Sequence, residues 1–167
     1  PATHKRFLGM LGMHGTYQAN MSMHNADLII AIGARFDDRI TNTPKLFAPN
    51  AKIIHLDVDY SSVSKIIEAN IAVFGQVKNS LLEMIKLLEA KKELIDPKKI
   101  LPWKEQISDW KSQHGLNHEM HLCETDDKPI MPQAVVQHLY NITNGKAFIT
   151  SDVGQHQMFA AQYYHFD

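Results

Sequence analysis

Three short apolar runs, set among segments of helical periodicity, constrain this chain more than any other feature of its sequence. The runs lie at residues 28–32, 52–59 and 71–75. Short strand-like runs that alternate with helical patterns are typical of βαβ units, in which parallel strands are joined through helices. The sequence therefore predicts an α/β fold built on a parallel sheet.

The individual elements follow from local patterns. The run at residues 28–32 is rich in isoleucine and is closed by Gly33, which favours a strand buried on both faces. Residues 16–25 favour a helix, with one face formed by Tyr17, Met21 and His24. After the third strand, apolar residues at helical spacing between positions 81 and 88 predict an amphipathic helix.

Between the second and third strands, Ser61 is placed to cap a short helix that runs through Ile67.

Two segments separate these elements from the second half of the chain. Residues 89–102 are rich in lysine and are broken by Asp96-Pro97, which indicates a linker. Residues 113–129 are polar and lack periodicity, so we expect an extended connection.

The second half predicts a helix, a connection and a new α/β unit. One short helix has an apolar face formed by Trp103, Ile107 and Trp110. Pro132 suits the first turn of a further helix, whose expected inner face consists of Val135, Val136, Leu139 and Ile142. We predict a strand at residues 147–150 and a last helix that follows the turn at residues 152–156.

Composition excludes several classes of protein. The 167 residues carry a formal net charge of -1, and no basic stripe is present, which argues against a nucleic-acid partner. The longest apolar run is too short to cross a membrane. A single cysteine, Cys123, excludes an intrachain disulfide and suits a reducing cytoplasm. The chain opens on Pro1 and ends in a helical run, so we expect a piece of a longer protein.

Two glycine-containing turns and one acidic strand end are the candidate ligand-binding features. Residues 8–15 (LGMLGMHG) lead into the first helix, and residues 33–39 (GARFDDR) leave the end of the first strand. Glycine lets backbone N–H groups approach an anion closely, and ligands of open α/β sheets bind beyond the strand ends. Asp57 is placed like the ribose-binding acid of dinucleotide sites. The strict G-x-G-x-x-G pattern is absent, so spacing alone indicates a nucleotide-like ligand.

Simpler interpretations of these residues stay open at this point. The first turn can be a surface turn with Met10 and Met13 as core filler, and the charged residues after Gly33 can be a solvated ion-pair cluster. His118, His121 and Cys123 have zinc-ligand chemistry, but three ligands on one polar loop favour a loop without metal.

The longer motifs resemble a known family. Residues 11–17 (LGMHGTY), 20–27 (NMSMHNAD) and 33–39 (GARFDDR) resemble the middle domain of acetolactate (acetohydroxyacid) synthase large subunits. Residues 150–161 (TSDVGQHQMFAA) are similar to the opening of that family's C-terminal domain. The resemblance implies the end of a Rossmann-like central thiamine-enzyme domain at residues 1–92, a linker at 93–128 and the start of a second α/β domain at 129–167.

The resemblance also implies two cofactors held by this chain. FAD would contact four groups of residues, namely Leu11, Gly12, Met13 and His14; Gly33, Ala34, Arg35, Asp37, Arg39 and Ile40; Asp57 and Val58; and Gly75, Gln76 and Val77. Residues approaching the diphosphate of thiamine diphosphate would be Val153, Gly154, Gln155 and His156. The family commonly has aspartate where this chain has Gln76, whose neutral amide can still hydrogen-bond adenosine.

The implied activity is the condensation of two 2-ketoacids, pyruvate with pyruvate or with 2-ketobutyrate, with loss of carbon dioxide. Arg39 would hold the carboxylate of an incoming ketoacid. The implied partners are a second copy of the subunit and a small regulatory subunit. The glutamate that activates the cofactor and the segment that binds Mg²⁺ have no counterpart in these 167 residues, so the chain alone is expected to be inactive. The alternative is a non-catalytic nucleotide-binding or scaffold module of the same superfamily.

Overall fold

The computed structural model describes residues 2–116 and 129–166, which form two compact units. The sheet unit comprises Met21–Asp109, and the helical unit combines the described residues of Pro1–Asn20 with those of Trp110–Asp167. In chain order the helices and strands are α1 (Tyr17–His24), β1 (Leu28–Ile32), α2 (Asp38–Thr41), β2 (Lys52–Asp57), β3 (Ile71–Phe74), α3 (Val77–Ala90), α4 (Leu101–His114), α5 (Pro132–Thr143) and α6 (Gln155–Tyr163). Short 3-10 helices lie at Pro44–Leu46, Lys92–Leu94 and Pro97–Ile100.

The sheet unit contains the predicted parallel sheet, with three strands in the order β1-β2-β3. The central strand is hydrogen-bonded along both edges, and it is also the most deeply buried. Ile53 and Leu56 are only 4% and 1% exposed, and full burial of such side chains stabilises a fold by roughly 1.5–3 kcal/mol each. The prediction of an α/β fold around parallel strands is confirmed.

Strand β1 is covered on one face only, so the prediction that both of its faces are buried is wrong. Ala31 packs in a core cluster with Phe36, Ile53 and Ile67. The other face presents Leu28, Ile30 and Ile32, which are 42% to 48% exposed. An isoleucine-rich run indicates a strand, but the burial of each face depends on which elements pack against it.

The segment after β2 forms turns, and the expected helix from Ser61 through Ile67 does not form. The carboxylate of Asp59 accepts hydrogen bonds from the Ser61 amide at 2.8 Å and from the Ser61 and Ser62 hydroxyls at 2.9 and 3.0 Å. Ser64 has a φ of 57°, in the left-handed region. A side chain that binds nearby amides offers the backbone an alternative to a helix, and the left-handed residue ends any helical run.

Helices α1, α3 and α4 confirm the periodic patterns, with one correction. Trp103, Ile107 and Trp110 are half-buried along α4, as predicted. In α1, however, the buried residues are Gln18 and Ala19, whereas Tyr17 and His24 are exposed and Met21 is half-buried. The Gln18 amide donates a hydrogen bond to the Leu8 carbonyl at 3.0 Å, which turns this side of the helix inward.

In the helical unit, α5 begins at Pro132 as predicted, but its inner face differs from the prediction. The side of α5 that carries Tyr140 and Thr143 packs on α6. The Tyr140 and Tyr164 rings meet edge to face at 5.4 Å, and the Thr143 hydroxyl lies 3.3 Å from the Tyr164 hydroxyl. Val136 is half-buried, whereas the remaining predicted residues, Val135, Leu139 and Ile142, are exposed.

The expected strand at residues 147–150 is also wrong, since this segment is irregular. No strand in the described part of the helical unit lies beside it to form a ladder. Phe148 is fully exposed. An isolated strand leaves its backbone groups without partners, so a β-prone sequence alone does not form one. The last helix, α6, forms as predicted.

Candidate functional site

The candidate binding residues divide between the two units. The sheet unit holds Gly33, Ala34, Arg35, Asp37, Arg39, Ile40, Asp57, Val58, Gly75, Gln76 and Val77. The helical unit holds Leu11, Gly12, Met13 and His14 together with Val153, Gly154, Gln155 and His156. Each set has its own geometry.

Within the sheet unit, the loops that follow all three strands are joined at the carboxyl edge of the sheet. The Gly33 amide donates to the Leu56 carbonyl at 2.8 Å, and the Gly75 amide donates to the Asp57 carbonyl at 3.1 Å. These bonds extend the register in which Ile32 pairs with Leu56. The structure therefore brings Gly33, Asp57 and Gly75 together at the edge where open parallel sheets bind ligands.

The two glycines leave the backbone at this edge accessible. Gly33 and Gly75 have φ angles of 59° and 145°, which L-residues rarely adopt. A Cβ atom at Gly33 would meet nothing within 4 Å, and one at Gly75 would meet only the Ser80 hydroxyl at 3.8 Å. The open space beside both residues allows a flat or charged group to approach their peptide units.

The loop after Gly33 is held by Asp37. Its carboxylate accepts a hydrogen bond from the Arg39 amide at 3.1 Å, which caps α2, and it pairs with the Arg35 guanidinium at 2.7 Å. The Arg39 amide hydrogen bond lowers the pKa of Asp37, with further lowering from the Asp38 side chain and from Arg35. The Arg35 side chain is 80% exposed, so this ion pair adds little stability. Its guanidinium is open to solvent and has the bidentate geometry that suits phosphate.

Phe36 anchors the same loop, and sequence reasoning missed it. Its backbone lies in the left-handed region, with a φ of 52°, which is uncommon for a bulky residue. The ring is buried and packs edge to face on Phe47 at 5.6 Å and on His55 at 5.2 Å. An aromatic residue between charged neighbours was the only sequence signal for this anchor.

Asp57 is the acid at the end of the central strand. It is buried, with one carboxylate oxygen accepting from the Asp59 amide at 2.9 Å and the other 3.9 Å from the His55 Nε2. The next residue, Val58, is exposed. Beyond β3, Gln76 precedes α3, and its carbonyl accepts from the Ser80 amide.

Among the remaining candidates of this loop, Ala34 packs on the core cluster, Ile40 is half-buried, and Arg39 is exposed in the second position of α2. Val77 is the first residue of α3 and is half-buried. The exposure of Arg39 leaves its side chain able to contact a ligand.

In the helical unit, the turn at residues 11–14 is fixed by Asn20. The Asn20 side chain accepts from the Gly12 amide at 2.8 Å and donates to the Gly12 carbonyl at 2.9 Å. The Gly15 amide donates to the Gly12 carbonyl at 2.9 Å, and the Gln162 side chain donates to the His14 carbonyl at 3.0 Å. These hydrogen bonds hold the backbone of the turn and leave the Met13 residue 63% exposed.

Residues 153–156 lead into α6, whose first two residues are Gln155 and His156. Gly154 precedes the first turn and makes no side-chain cap, and Val153 is 85% exposed. The first amides of a helix point outward along the axis and favour an anion. A Cβ atom at Gly154 would lie 2.8 Å from the His156 ring, so glycine lets this ring lie close to the turn.

Two absences concern only residues 2–116 and 129–166. Within these ranges, no group of three or more potential metal ligands occurs, and no helix is long and apolar enough to cross a membrane. His118, His121 and Cys123, which were weighed as zinc ligands, lie outside the described residues.

Comparison with known proteins adds a family to this geometry. The family described as "Thiamine pyrophosphate enzyme, central domain" matches residues 1–84. The chain is 48% identical over 167 residues to the acetolactate synthase isozyme 3 large subunit of Escherichia coli, and 48% identical over 166 residues to the acetolactate synthase large subunit of Buchnera aphidicola. It is 39% identical over 157 residues to acetolactate synthase 1, chloroplastic, of Nicotiana tabacum.

The alignments cover 100%, 99% and 94% of this chain, respectively. They cover only 28%, 28% and 23% of those three relatives. The chain thus spans less than a third of the length of each relative that it resembles.

Proposed function

Because this chain belongs to the thiamine pyrophosphate enzyme family through its central domain, we propose that it is the flavin-nucleotide-binding part of an acetolactate synthase large subunit. One observation carries the proposal. The loops after three parallel strands meet at one edge, where two open glycines flank a buried acid. This is the arrangement that binds a dinucleotide in an open α/β sheet.

The residues at this edge fit FAD chemically. Arg35 offers a guanidinium to the pyrophosphate, Gly33 and Gly75 leave room beside the backbone, and Asp57 offers carboxylate oxygens to ribose hydroxyls. We assign Ala34, Asp37, Arg39, Ile40, Val58, Gln76 and Val77 to the same cofactor from the family resemblance, together with residues 11–14. The flavin has a largely structural part in this proposal, because the condensation involves no net oxidation or reduction.

The start of α6 fits an anionic group of thiamine diphosphate. Residues 153–156 present an uncapped helix N-terminus of a nine-residue helix, where outward-pointing amides favour a diphosphate. His156 lies close to Gly154 and is assigned to hydrogen bonding near this group. When bound, thiamine diphosphate supplies the nucleophilic carbon for ketoacid chemistry. The Mg²⁺ that accompanies it would be held by residues outside this chain.

The activity belongs to a longer protein that contains this sequence. We propose that such a protein condenses pyruvate with pyruvate or 2-ketobutyrate in branched-chain amino-acid synthesis, with Arg39 holding the carboxylate of one ketoacid. We further propose a central domain that ends near residue 92, a linker at residues 93–128 and a C-terminal domain from residue 129. We also propose that this longer protein is cytoplasmic, forms a homodimer and binds a small regulatory subunit. We propose that the glutamate that activates the cofactor and the segment that binds Mg²⁺ belong to other parts of that longer protein.

The second candidate is a nucleotide-binding module without catalytic use. Asp57 and the two glycines favour this alternative, because they would accept the adenosine part of any adenine nucleotide. A module of this kind would bind NAD and FAD equally well, whereas the flavin site proposed here prefers FAD.

Titration of the chain with FAD, followed by quenching of flavin fluorescence, tests the proposal. Loss of charge in Asp57→Asn should weaken binding about tenfold, since a hydrogen bond to a charged group contributes roughly 1.5–3 kcal/mol. Lys52→Gln, at the opposite end of the same strand, is the matched control and should bind as the unaltered chain does. Equal affinities for FAD in the two variants, or equal affinities of the unaltered chain for FAD and NAD, would contradict the assignment.

A further inference from the structure

His55 is a fully buried ionisable side chain for which the proposed function has no role. It lies in the middle of the central strand β2 and is 0% exposed. Within the described residues, neither of its ring nitrogens has a hydrogen-bond partner. Buried polar atoms are nearly always paired, so such an imidazole needs an explanation.

Apolar residues and one carboxylate lie around the His55 ring. Ala31 and Ala72 stand opposite His55 on the neighbouring strands, and the Phe36 ring meets it edge to face at 5.2 Å. These neighbours are apolar. Within the described residues, Asp57 is the only ionisable side chain at ion-pair distance, with Oδ2 at 3.9 Å from Nε2. Residues 55 and 57 share a face because side chains alternate along a strand.

A separation of 3.9 Å is longer than a hydrogen bond. The ring and the carboxylate must therefore move together by about 1 Å to form an N–H to oxygen bond. The two side chains are therefore adjacent but not hydrogen-bonded.

We propose that His55 is a positioning residue for Asp57, holding its carboxylate from within the core so that its free lone pairs face a vicinal diol. A carboxylate offers about four acceptor positions. The Asp59 amide takes one on Oδ1, and the His55 Nε2–H takes one on Oδ2. The two that remain match the two hydroxyls of an adenosine ribose. This inference rests on the proposed function, which places the adenosine part of FAD at Asp57.

The proposal fixes the protonation of the ring. Nε2 must carry a proton in order to donate to Oδ2, whether the imidazole is neutral or charged. Substitution by glutamine preserves a donor near the Nε2 position, whereas leucine fills the space without one. His55→Gln and His55→Leu are therefore a matched pair that separates the hydrogen bond from the packing.

The experiment measures binding of ADP and of 2′,3′-dideoxy-ADP to the chain by calorimetry, with circular dichroism to show that each variant is folded. His55→Leu should bind ADP about tenfold more weakly, as expected when a hydrogen bond to a charged group is lost. His55→Gln should bind ADP within about threefold of the unaltered chain, a difference below one hydrogen bond. Binding of the dideoxy nucleotide should be the same in all three proteins. An equal loss for both nucleotides would show that His55 only packs the core and would overturn the proposal.

A second measurement tests the proposed hydrogen bond between His55 and Asp57 without any ligand. Nitrogen-15 NMR of the ring should show a proton on Nε2, and Asp57→Asn should shift the Nε2 resonance, which would show that the two side chains are coupled. If the unaltered chain binds no nucleotide while this coupling is present, the proposed function fails and the pair stands. An Nε2 resonance that is unchanged in Asp57→Asn, or a ring with its proton only on Nδ1, would overturn the pair.

Discussion

The two hydrogen bonds between Asn20 and Gly12 offer a direct test of how the turn at residues 11–14 is held. Asn20→Ala removes an acceptor at 2.8 Å and a donor at 2.9 Å in one substitution. Each such bond contributes about 1 kcal/mol net, so the variant should lose roughly 2 kcal/mol of stability. The Gly12 amide, which then has no partner on Asn20, should exchange its hydrogen about tenfold faster or more.

The assay combines urea unfolding with hydrogen exchange at the Gly12 amide. Asn25→Ala is the matched control, because Asn25 lies one residue after the same helix and donates a single exposed bond to the Met21 carbonyl at 2.8 Å. The control should lose about 0.5 kcal/mol and leave exchange at Gly12 unchanged. Equal losses of stability in the two variants, with Gly12 exchange unaffected in both, would refute the claim that Asn20 holds this turn.

Three further predictions address a tight turn, acid sensitivity and activity. Gly15→Ala places a Cβ 2.5 Å from the Met10 carbonyl oxygen and should lower stability in thermal unfolding by roughly 1–3 kcal/mol. At Gly33, where the space is open, alanine should lower stability only through the strain of its positive φ, by about 1 kcal/mol. A larger loss of stability for Gly33→Ala than for Gly15→Ala would contradict this reasoning. The hydrogen bond from the Ser61 hydroxyl is the main cause of the lowered pKa of Asp59. The ionised Asp59 carboxylate therefore stabilises the fold at a pH above 3.8, the ordinary pKa of aspartate, and this stabilisation is lost as the pH falls further. In urea unfolding, Asp59→Asn should therefore be less stable than the unaltered chain at neutral pH, and the difference should shrink as the pH falls below 3.8; a constant difference would argue against this linkage. Finally, the 167-residue chain with FAD, thiamine diphosphate and Mg²⁺ should form no acetolactate from pyruvate, and measured turnover above background would refute that expectation.

Much of the sheet and of its carboxyl edge follows from the sequence by simple rules. Parallel strands end at a common edge, so the order of Gly33, Asp57 and Gly75 along the chain already predicts that they meet. The structure confirms that meeting through backbone hydrogen bonds. The position of His55 relative to Asp57 was also readable, since residues two apart on a strand share a face.

Other features depend on long-range contacts that no local pattern encodes. The exposure of Ile30 is set by the absence of a described element on that face of β1, and Phe148 stays irregular because no described strand lies beside it. Phe36 combines a left-handed backbone with a ring that packs on Phe47 and His55, both distant in sequence. Side-chain capping by Asp59 decided between a helix and turns at Ser61.

The flavin absorbance of the purified chain tests the central claim most directly. After incubation with FAD and removal of free cofactor by gel filtration, visible flavin absorbance should comigrate with the protein. Asp57→Asn, treated in parallel, should retain clearly less. A chain that elutes folded but without flavin absorbance would contradict the claim that the carboxyl edge of this sheet is an FAD site.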